Sequence, residues 1–332
     1  MNLNRFVTTT CATLYLGMLF PMVANAIVVE RSPKMKKFVE FMVVKHGMKR
    51  VVLERVLRGA RIRKDIVAAI KRPAERDPWY IYRRNFVSDE YAKSGADYWK
   101  KHRAILERAY RTYGVPPEIV IAILGVETRY GKSIGKYPVI DALVTLSLKS
   151  SQRKAFFLRE LEQFFLLSRE EGLNPLEVKG SYAGAIGVPQ FISSSYRRYA
   201  VDFDSDNRRD LLTNVADIIG STANYFYKHG WKQGDRIISP VSVGRSKISV
   251  DEGDMVPRYT ISQLKKRGVL LTEKLSGERK VSLIKLRLES GDAYNLGFYN
   301  FYVITRYNHN VRYAMAVYEL SQLIREHYYE SS

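Results

Sequence analysis

Cysteine is nearly absent from this chain of 332 residues, and the single one is Cys11. We expect Cys11 to be removed with an N-terminal leader, so the mature chain would form no disulfide, which suits an oxidising compartment without requiring one. The sequence also has no zinc-like cluster of His and Cys, no phosphate-binding loop and no serine-nucleophile elbow. It has no internal repeat and no low-complexity tract. The usual motifs of zinc, nucleotide and serine-hydrolase chemistry are therefore excluded.

Acidic residues are few compared with basic ones. The chain has 54 Lys and Arg against 34 Asp and Glu, a formal net charge of +20. Such a charge favours polyanionic partners, of which nucleic acid is the usual first candidate. For an exported protein, a cell-wall polymer that bears peptide carboxylates is the better candidate, and we expect no nucleic-acid partner. A soluble basic surface is the simpler alternative.

Long apolar runs are confined to the N-terminus. A polar start containing Arg5 precedes the apolar stretch Phe6–Val23, and Ala24-Asn-Ala26 follows as a small-x-small cleavage site. We predict a signal peptide over residues 1–26, cleaved after Ala26, and a periplasmic protein. An uncleaved membrane anchor is the alternative. Threonines precede Cys11 and the apolar run continues after it, so no lipid anchor is expected.

Hydrophobic periodicity predicts a mainly α (α+β) chain. Val281–Leu288 roughly alternates apolar and charged positions, as a half-buried strand does, and lies in a glycine-rich stretch that we read as a strand-containing insert. Helices are predicted elsewhere, over residues 33–72, 91–113, 117–127, 158–172, 214–229 and 313–328.

Glu127 ends the most apolar of these helices, which begins at Pro116-Pro117 and has almost no polar face. A helix that is apolar all round is buried. Burial disfavours a charged carboxylate, so the pKa of Glu127 should rise and the acid could donate a proton to a glycosidic oxygen. A structural glutamate paired with Arg129 or another arginine is an equal alternative on burial alone. Glycines at 125 and 131 favour the catalytic reading, since they would permit close approach of a ligand.

A second motif is the segment Gly180-Ser-Tyr-Ala-Gly-Ala-Ile-Gly-Val-Pro-Gln-Phe191. Its glycines could let backbone amides face a substrate, with Ser181, Tyr182 and Gln190 between them. Without Glu127, an ordinary turn-rich loop would be the preferred interpretation.

Taken together, the two motifs resemble the membrane-bound lytic transglycosylase B family, a lysozyme-like group of peptidoglycan enzymes. The resemblance runs from about residue 37 to about residue 328. It rests on short blocks in one order: Tyr82-Arg83, Tyr113-Gly-Val-Pro-Pro-Glu118, Gly125-Val-Glu-Thr-Arg129, Asp141-Ala-Leu143, Glu160-Leu-Glu162, Lys179-Gly-Ser181, Ala223-Asn-Tyr-Phe226, His229-Gly-Trp231 and Ile304-Thr-Arg-Tyr-Asn-His309.

The resemblance implies a domain organisation. A helical region over residues 27–110 would precede a lysozyme-like catalytic core over 111–236. The insert would follow over 237–300, and residues 301–332 would complete the cleft. Because no lipobox is present, the resemblance implies a soluble, exported variant, which we expect to be a monomer.

The resemblance also implies the chemistry: one glutamate, Glu127, cleaves the MurNAc-β-1,4-GlcNAc bond and forms 1,6-anhydro-N-acetylmuramic acid. No cofactor is needed for this reaction. Most glycosidases use two carboxylates, and Asp141 is better explained as a structural cap than as the second. The matching substrate-binding positions are Ser181, Gln190, Arg153, Tyr82, Tyr225, Tyr307 and Asn308. The partner is the glycan strand of peptidoglycan.

An aspartate-rich segment begins at Asp202 with the spacing of a calcium loop. Asn207 stands where such a loop usually has glycine, and Thr213 stands where it has a bidentate glutamate. We predict a structural Ca²⁺ or Na⁺ site, as the resemblance also implies, with a solvated acidic turn as the alternative. The predicted ligands are four carboxylates and one backbone carbonyl: Asp202, Asp204, Asp206, Asp210 and the carbonyl of Arg208.

Three other functions compete with the transglycosylase. A muramidase would begin with the same acid but use water, so its product would be heavier by one water. A non-catalytic wall-binding protein is favoured if Glu127→Gln keeps full lytic activity. A nucleic-acid binder is suggested by charge alone, and DNA binding at physiological salt would reveal it.

Overall fold

The computed structural model describes residues 32–70, 77–150, 152–244 and 255–330. The predicted leader, its cleavage site and Cys11 lie outside the described residues. The predicted fold class is confirmed: the chain is mostly helical and carries a small sheet.

The helices follow one another as α1 (Pro33–His46), α2 (Arg50–Gly59), α3 (Lys64–Ala69), α4 (Trp79–Arg84), α5 (Asp89–Lys101), α6 (Arg103–Tyr113), α7 (Pro117–Thr128), α8 (Val139–Lys149), α9 (Lys154–Glu170), α10 (Ser193–Tyr199), α11 (Val215–Lys228), α12 (Ile261–Lys266), α13 (Tyr299–Thr305) and α14 (Val311–Glu330). The strands are β1 (Tyr137–Pro138), β2 (Lys179–Gly180), β3 (Ile238–Val243), β4 (Tyr259–Thr260), β5 (Val269–Leu271), β6 (Lys280–Arg287) and β7 (Asp292–Gly297).

Helix α7 lies in the middle of the helical core, as its sequence predicts. Each residue from Ile119 to Leu124 is at most 1% exposed. Helices α5, α6, α11 and α14 pack around it, so the middle of α7 meets protein on every side. With 12 residues, α7 is a core helix. In the part of the chain that the structure describes, no helix combines the length and the apolar character needed to cross a membrane.

One predicted helix is two helices in the structure. Residues 91–113 were expected to form a single helix, but the chain forms α5 and α6, which meet at His102. His102 leaves the helical region (φ −116°, ψ 24°), and its ring packs 4.5 Å from the ring of Tyr98. Periodicity misses such a break because the apolar stripe continues across it.

The larger sheet is antiparallel, with strand order β4-β6-β7-β3-β5. Strand β6 is less amphipathic than its sequence suggests, because residues 281–284 are all buried. Leu283 joins a small core under α12, whereas Ile284 joins the main helical core. The sheet is therefore covered on both faces at this strand and is fixed against the helices that carry the site.

Candidate functional site

The end of α7 fixes the position of Glu127. After Thr128 the chain takes two consecutive left-handed residues, Arg129 (φ 52°) and Tyr130 (φ 59°). The Arg129 amide donates to the carbonyl of Gly125 and the Tyr130 amide to that of Leu124, which closes the helix. Non-glycine residues rarely adopt this conformation, so surrounding contacts must hold the turn.

Tyr130 supplies one of these contacts by folding back over α7. Its hydroxyl donates to the carbonyl of Tyr91 (2.7 Å), and its ring covers Gly125 so closely that a Cβ there would lie 2.8 Å away. The expectation that Gly125 admits a ligand is therefore wrong. Gly125 is needed because Tyr130 occupies the space that a side chain would take.

Thr128 ties the end of α7 to the glycine-rich segment. Its buried hydroxyl donates to the carbonyl of Val188 (2.9 Å) and accepts from the amide of Gly131 (3.1 Å). These bonds set the distance between Glu127 and the loop that faces it.

We expect Thr128→Val to lower the free energy of unfolding by about 1–3 kcal/mol, because a buried carbonyl would lose its donor at constant side-chain volume. Urea unfolding measures this. Thr222→Val is the matched control, since that buried hydroxyl donates to the carbonyl of Ile218 within its own helix (2.7 Å). Equal losses from the two substitutions would refute a special role for Thr128.

Glu127 is half-buried, and the hydroxyl of buried Tyr313 donates to its Oε1 (2.6 Å). The pKa of Tyr313 lies well above its usual value, first because of burial and then because of the negative charge of Glu127. Tyr313 therefore stays protonated and remains a donor to the carboxyl group.

Sequence reasoning missed Tyr313. The available signal was Asn310, whose side-chain oxygen accepts from the amides of Arg312 and Tyr313 and so caps the start of α14. That cap predicts a helix start but not its contact with a glutamate 186 residues away in the sequence.

The glycine-rich segment forms a tight loop through bridges of Ile186 to Gly180 and to Phe191. The Ser181 Oγ accepts from the amides of Ala183 (3.2 Å) and Ala185 (3.1 Å), so those amides turn towards the loop itself. Contrary to expectation, these two amides do not face a substrate. The Ser181 hydroxyl keeps its proton as a donor.

Gln190 stands in the left-handed region (φ 52°) at the end of this loop. Its side-chain nitrogen donates to the carbonyls of Ile134 (3.1 Å) and Gly187 (2.9 Å). Because the side-chain nitrogen of Gln190 makes both bonds, the side-chain oxygen can accept a hydrogen bond from a ligand.

Aromatic rings pack against the glycine-rich loop. The ring of Tyr307 lies nearly parallel to that of Tyr313, at an angle of 11° and 6.4 Å between centroids. Tyr225 lies 4.8 Å from Tyr307 and donates to the carbonyl of Arg306, and Tyr307 donates to the carbonyl of Pro189. The structure thus brings Tyr225, Tyr307 and the Gln190 loop together beside Glu127.

Two of the three remaining predicted positions, Asn308 and Tyr82, adjoin this cluster. Asn308 is half-buried and follows Tyr307 directly. Tyr82 is only 2% exposed, and it lies close enough to Tyr313 to contribute to the raised pKa of that residue. Arg153 is exposed at the start of α9, where its guanidinium packs 4.3 Å from the ring centre of Phe156.

Asp141 accepts a hydrogen bond from the backbone of the segment before α3. It is 4% exposed and accepts from the backbone amide of Arg61 (2.7 Å). Burial raises its pKa, and the amide of Arg61 partly offsets that rise. This carboxyl group joins α8 to the segment before α3, which supports the structural role expected for it.

The aspartate-rich segment gathers a different set of carboxylates from the predicted one. Oxygens of Asp202, Asp204 and Asp217 lie within 4.8 Å of one another. Asp217 is fully buried in α11, and its pKa is raised by burial and by the other two charges. Asp210 instead accepts from the amides of Leu212 and Thr213. The 12-residue spacing rule could not point to Asp217, because α11 brings it in from outside that window.

The fold and the site define a glycan-cleaving enzyme of the lysozyme-like class. Residues 30–322 match the model of the transglycosylase SLT domain family. The chain is 39% identical over 303 residues to the membrane-bound lytic murein transglycosylase B of Escherichia coli strain K12, covering 88% of this chain and 83% of that protein.

Two solved structures are similar as well. The Escherichia coli lytic transglycosylase Slt35 in complex with calcium matches with a TM-score of 0.84 and 38% identity, over 90% of this chain and 95% of that one. SltB3 from Pseudomonas aeruginosa in complex with NAG-anhNAM-pentapeptide matches with a TM-score of 0.75 and 25% identity, over 88% and 79%. The chain belongs to the transglycosylase SLT domain family, and it is a lytic murein transglycosylase.

Proposed function

We propose that Glu127 is the single acid and base of a reaction that cleaves the MurNAc-β-1,4-GlcNAc bond and leaves a 1,6-anhydro-MurNAc end. The observation that carries this proposal is the Tyr313 hydroxyl on Oε1 of Glu127. This buried donor holds the carboxyl group of Glu127 in a defined orientation at the end of α7, as a group that gives a proton to the substrate and takes one back requires. The SltB3 complex supports the product, because its ligand contains an anhydromuramyl sugar.

In the first step, Glu127 gives its proton to the glycosidic oxygen, and the bond from that oxygen to C1 of MurNAc breaks. The acetamido group of MurNAc stabilises the cationic centre at C1. In the second step, ionised Glu127 takes the proton of the C6 hydroxyl, and the C6 oxygen forms a bond to C1. Glu127 returns to its acid form and no water is consumed.

The surrounding residues would hold the sugar for these steps. Ser181 would donate to the N-acetyl carbonyl, and Gln190 would accept a sugar hydroxyl through its amide oxygen. Tyr225, Tyr307 and Asn308 would form the wall of the site next to the loop. Buried Tyr82 would support Tyr313 from within the protein. Exposed Arg153 would bind muramyl or peptide carboxylates. The masses of the released muropeptides test the proposal as a whole.

We also propose that residues 1–26 are a signal peptide and that the enzyme works in the periplasm. The family acts on murein, and the small-x-small site at Ala24-Asn-Ala26 supports cleavage there. N-terminal sequencing of the protein recovered from its producing cells should begin at Ile27. A chain that retains Met1 would make the segment an anchor.

We further propose a structural Ca²⁺ site at Asp202, Asp204 and Asp217. Three carboxylates this close repel one another, and one of them is buried, so an oxygen-preferring cation fits the donor set. The calcium complex of Slt35 supports the identity of the ion. The site would fix the loop before α11 and take no part in the chemistry.

Calcium should therefore raise the melting temperature. At a concentration about 100-fold above Kd, the expected gain is roughly 2.7 kcal/mol, or several degrees, and a chelator should reverse it. Differential scanning calorimetry measures the shift. Asp217→Asn should abolish the response, whereas Asp97→Asn, an exposed change on α5, should keep it. A calcium response that survives in Asp217→Asn would place the ion elsewhere.

A further inference from the structure

A cavity of about 830 Å³ lies between α5, α6, the start of α7 and the end of α14. We call it the rear groove. Its aromatic lining is Trp99, Tyr110, Tyr328 and Tyr329, and Glu118 and Arg325 lie beside these rings. Its volume is within the range of roughly 300–1,000 Å³ of small-molecule sites.

The rear groove is separate from the cleft. Glu118 lines it from the first turn of α7, and Glu127 lies nine residues later on the same helix. Nine residues correspond to about 13–14 Å along the axis and about half a turn around it. The groove and the catalytic acid therefore lie at opposite ends and on opposite faces of α7.

Tyr110 and Tyr329 supply the exposed aromatic surface of the rear groove, whereas Trp99 is only 5% exposed and packs against Tyr328. Trp99 and Tyr328 stack with 4.2 Å between centroids and an angle of 16°, and Tyr329 lies against both. Tyr329 is 66% exposed and Tyr110 is 37% exposed. Tyrosine and tryptophan combine an apolar face with a polar tip, which suits a ligand with an apolar face and a hydroxyl rim, such as a pyranose ring.

The groove is lined by two basic and two acidic side chains, so its charges balance although the whole chain is basic. Arg103 and Arg325 face Glu107 and Glu118, and Arg103 is already paired with Glu107 (2.6 Å). A site for peptide carboxylates or another polyanion would show an excess of cations. Balanced charges with both donors and acceptors favour an uncharged, hydroxyl-rich ligand.

We propose that the rear groove binds a second stretch of glycan, a segment of β-1,4-linked N-acetylated amino sugars outside the cleft. The inference rests on the proposed function, since it assumes a polymeric glycan substrate. Two attachment points would raise the occupancy of the enzyme on the polymer without changing the reaction in the cleft. Short substrates that span only the cleft would not benefit.

The test measures binding and turnover separately. Binding uses Glu127→Gln protein sedimented with insoluble murein whose stem peptides have been removed. Adding Tyr110→Ala and Tyr329→Ala should weaken binding about tenfold, equivalent to ~1.4 kcal/mol. Tyr227→Ala, a tyrosine that is 50% exposed outside the groove, is the matched control and should bind normally. With Glu127 intact, the groove variant should cleave a soluble tetrasaccharide at the normal rate.

Unchanged sedimentation of the groove variant would overturn the proposal, as would an equal loss in Tyr227→Ala. A loss seen only with murein that keeps its peptides would assign the groove to peptide instead of glycan. A lower rate on the tetrasaccharide would mean that the substitutions damage the cleft. Binding by the Glu127→Gln protein does not depend on the product formed, so failure of the proposed reaction would be seen separately.

Discussion

Glu127→Gln should lower turnover on murein by roughly 10²–10⁴-fold, the usual contribution of a general acid and base. Glutamine has the same size and still accepts from Tyr313, so the site should keep its shape. It cannot donate a proton to the glycosidic oxygen or take one from the C6 hydroxyl. The loss should therefore appear in kcat, with KM little changed. Release of soluble muropeptides from purified murein measures both constants.

Asp141→Asn is the control for the single-carboxyl mechanism. Asp141 is the other buried carboxyl considered for the reaction, and asparagine can still accept from the amide of Arg61. Turnover should stay near the wild-type value. A loss as large as that of Glu127→Gln would show that two carboxyl groups are needed.

Tyr313→Phe should lower kcat by roughly 10–100-fold, because a hydrogen bond to a charged group is worth about 1.5–3 kcal/mol. In the proposed reaction, Glu127 becomes ionised between the two steps, and Tyr313 would donate to the carboxylate at that stage. Without the donor, the half-buried charge is harder to form. Tyr313 is a positioning residue in this account, so KM on a short soluble substrate should be nearly unchanged.

Tyr196→Phe separates this effect from a general loss of stability. Tyr196 is also fully buried, and its hydroxyl donates to the carbonyl of Arg209 and accepts from the amide of Leu211. That substitution should lower the melting temperature and leave kcat intact. If Tyr313→Phe changed only the melting temperature, the Tyr313 hydroxyl would be structural.

Much of the fold follows from hydrophobic pattern alone. The helix α7 was predicted almost to the residue because proline starts it and a continuous apolar run buries it. The break at His102 was missed because it changes the backbone of one residue and leaves the apolar stripe in place. The two-sided burial of β6 depends on α12 and on the helical core, neither of which a strand pattern contains.

The sequence could point to a candidate site where its residues lie within one continuous motif. Glu127 and Gln190 belong to continuous segments that can be recognised as blocks. Tyr313 and Asp217 could not be found in this way, because each meets its partners through helix packing. The purpose of Gly125 was also misread, since only the structure places Tyr130 over it. Motifs and hydrophobic periodicity describe neighbouring residues, so they do not reveal contacts between distant segments.

The most direct test of the account is the mass of the muropeptides that the wild-type protein releases from purified murein. The mechanism predicts 1,6-anhydro-MurNAc ends, each lighter by one water than a reducing end, and none from Glu127→Gln. Hydrated reducing ends from the wild-type protein would mean that water attacks C1 in place of the C6 oxygen, which would contradict the mechanism proposed for Glu127.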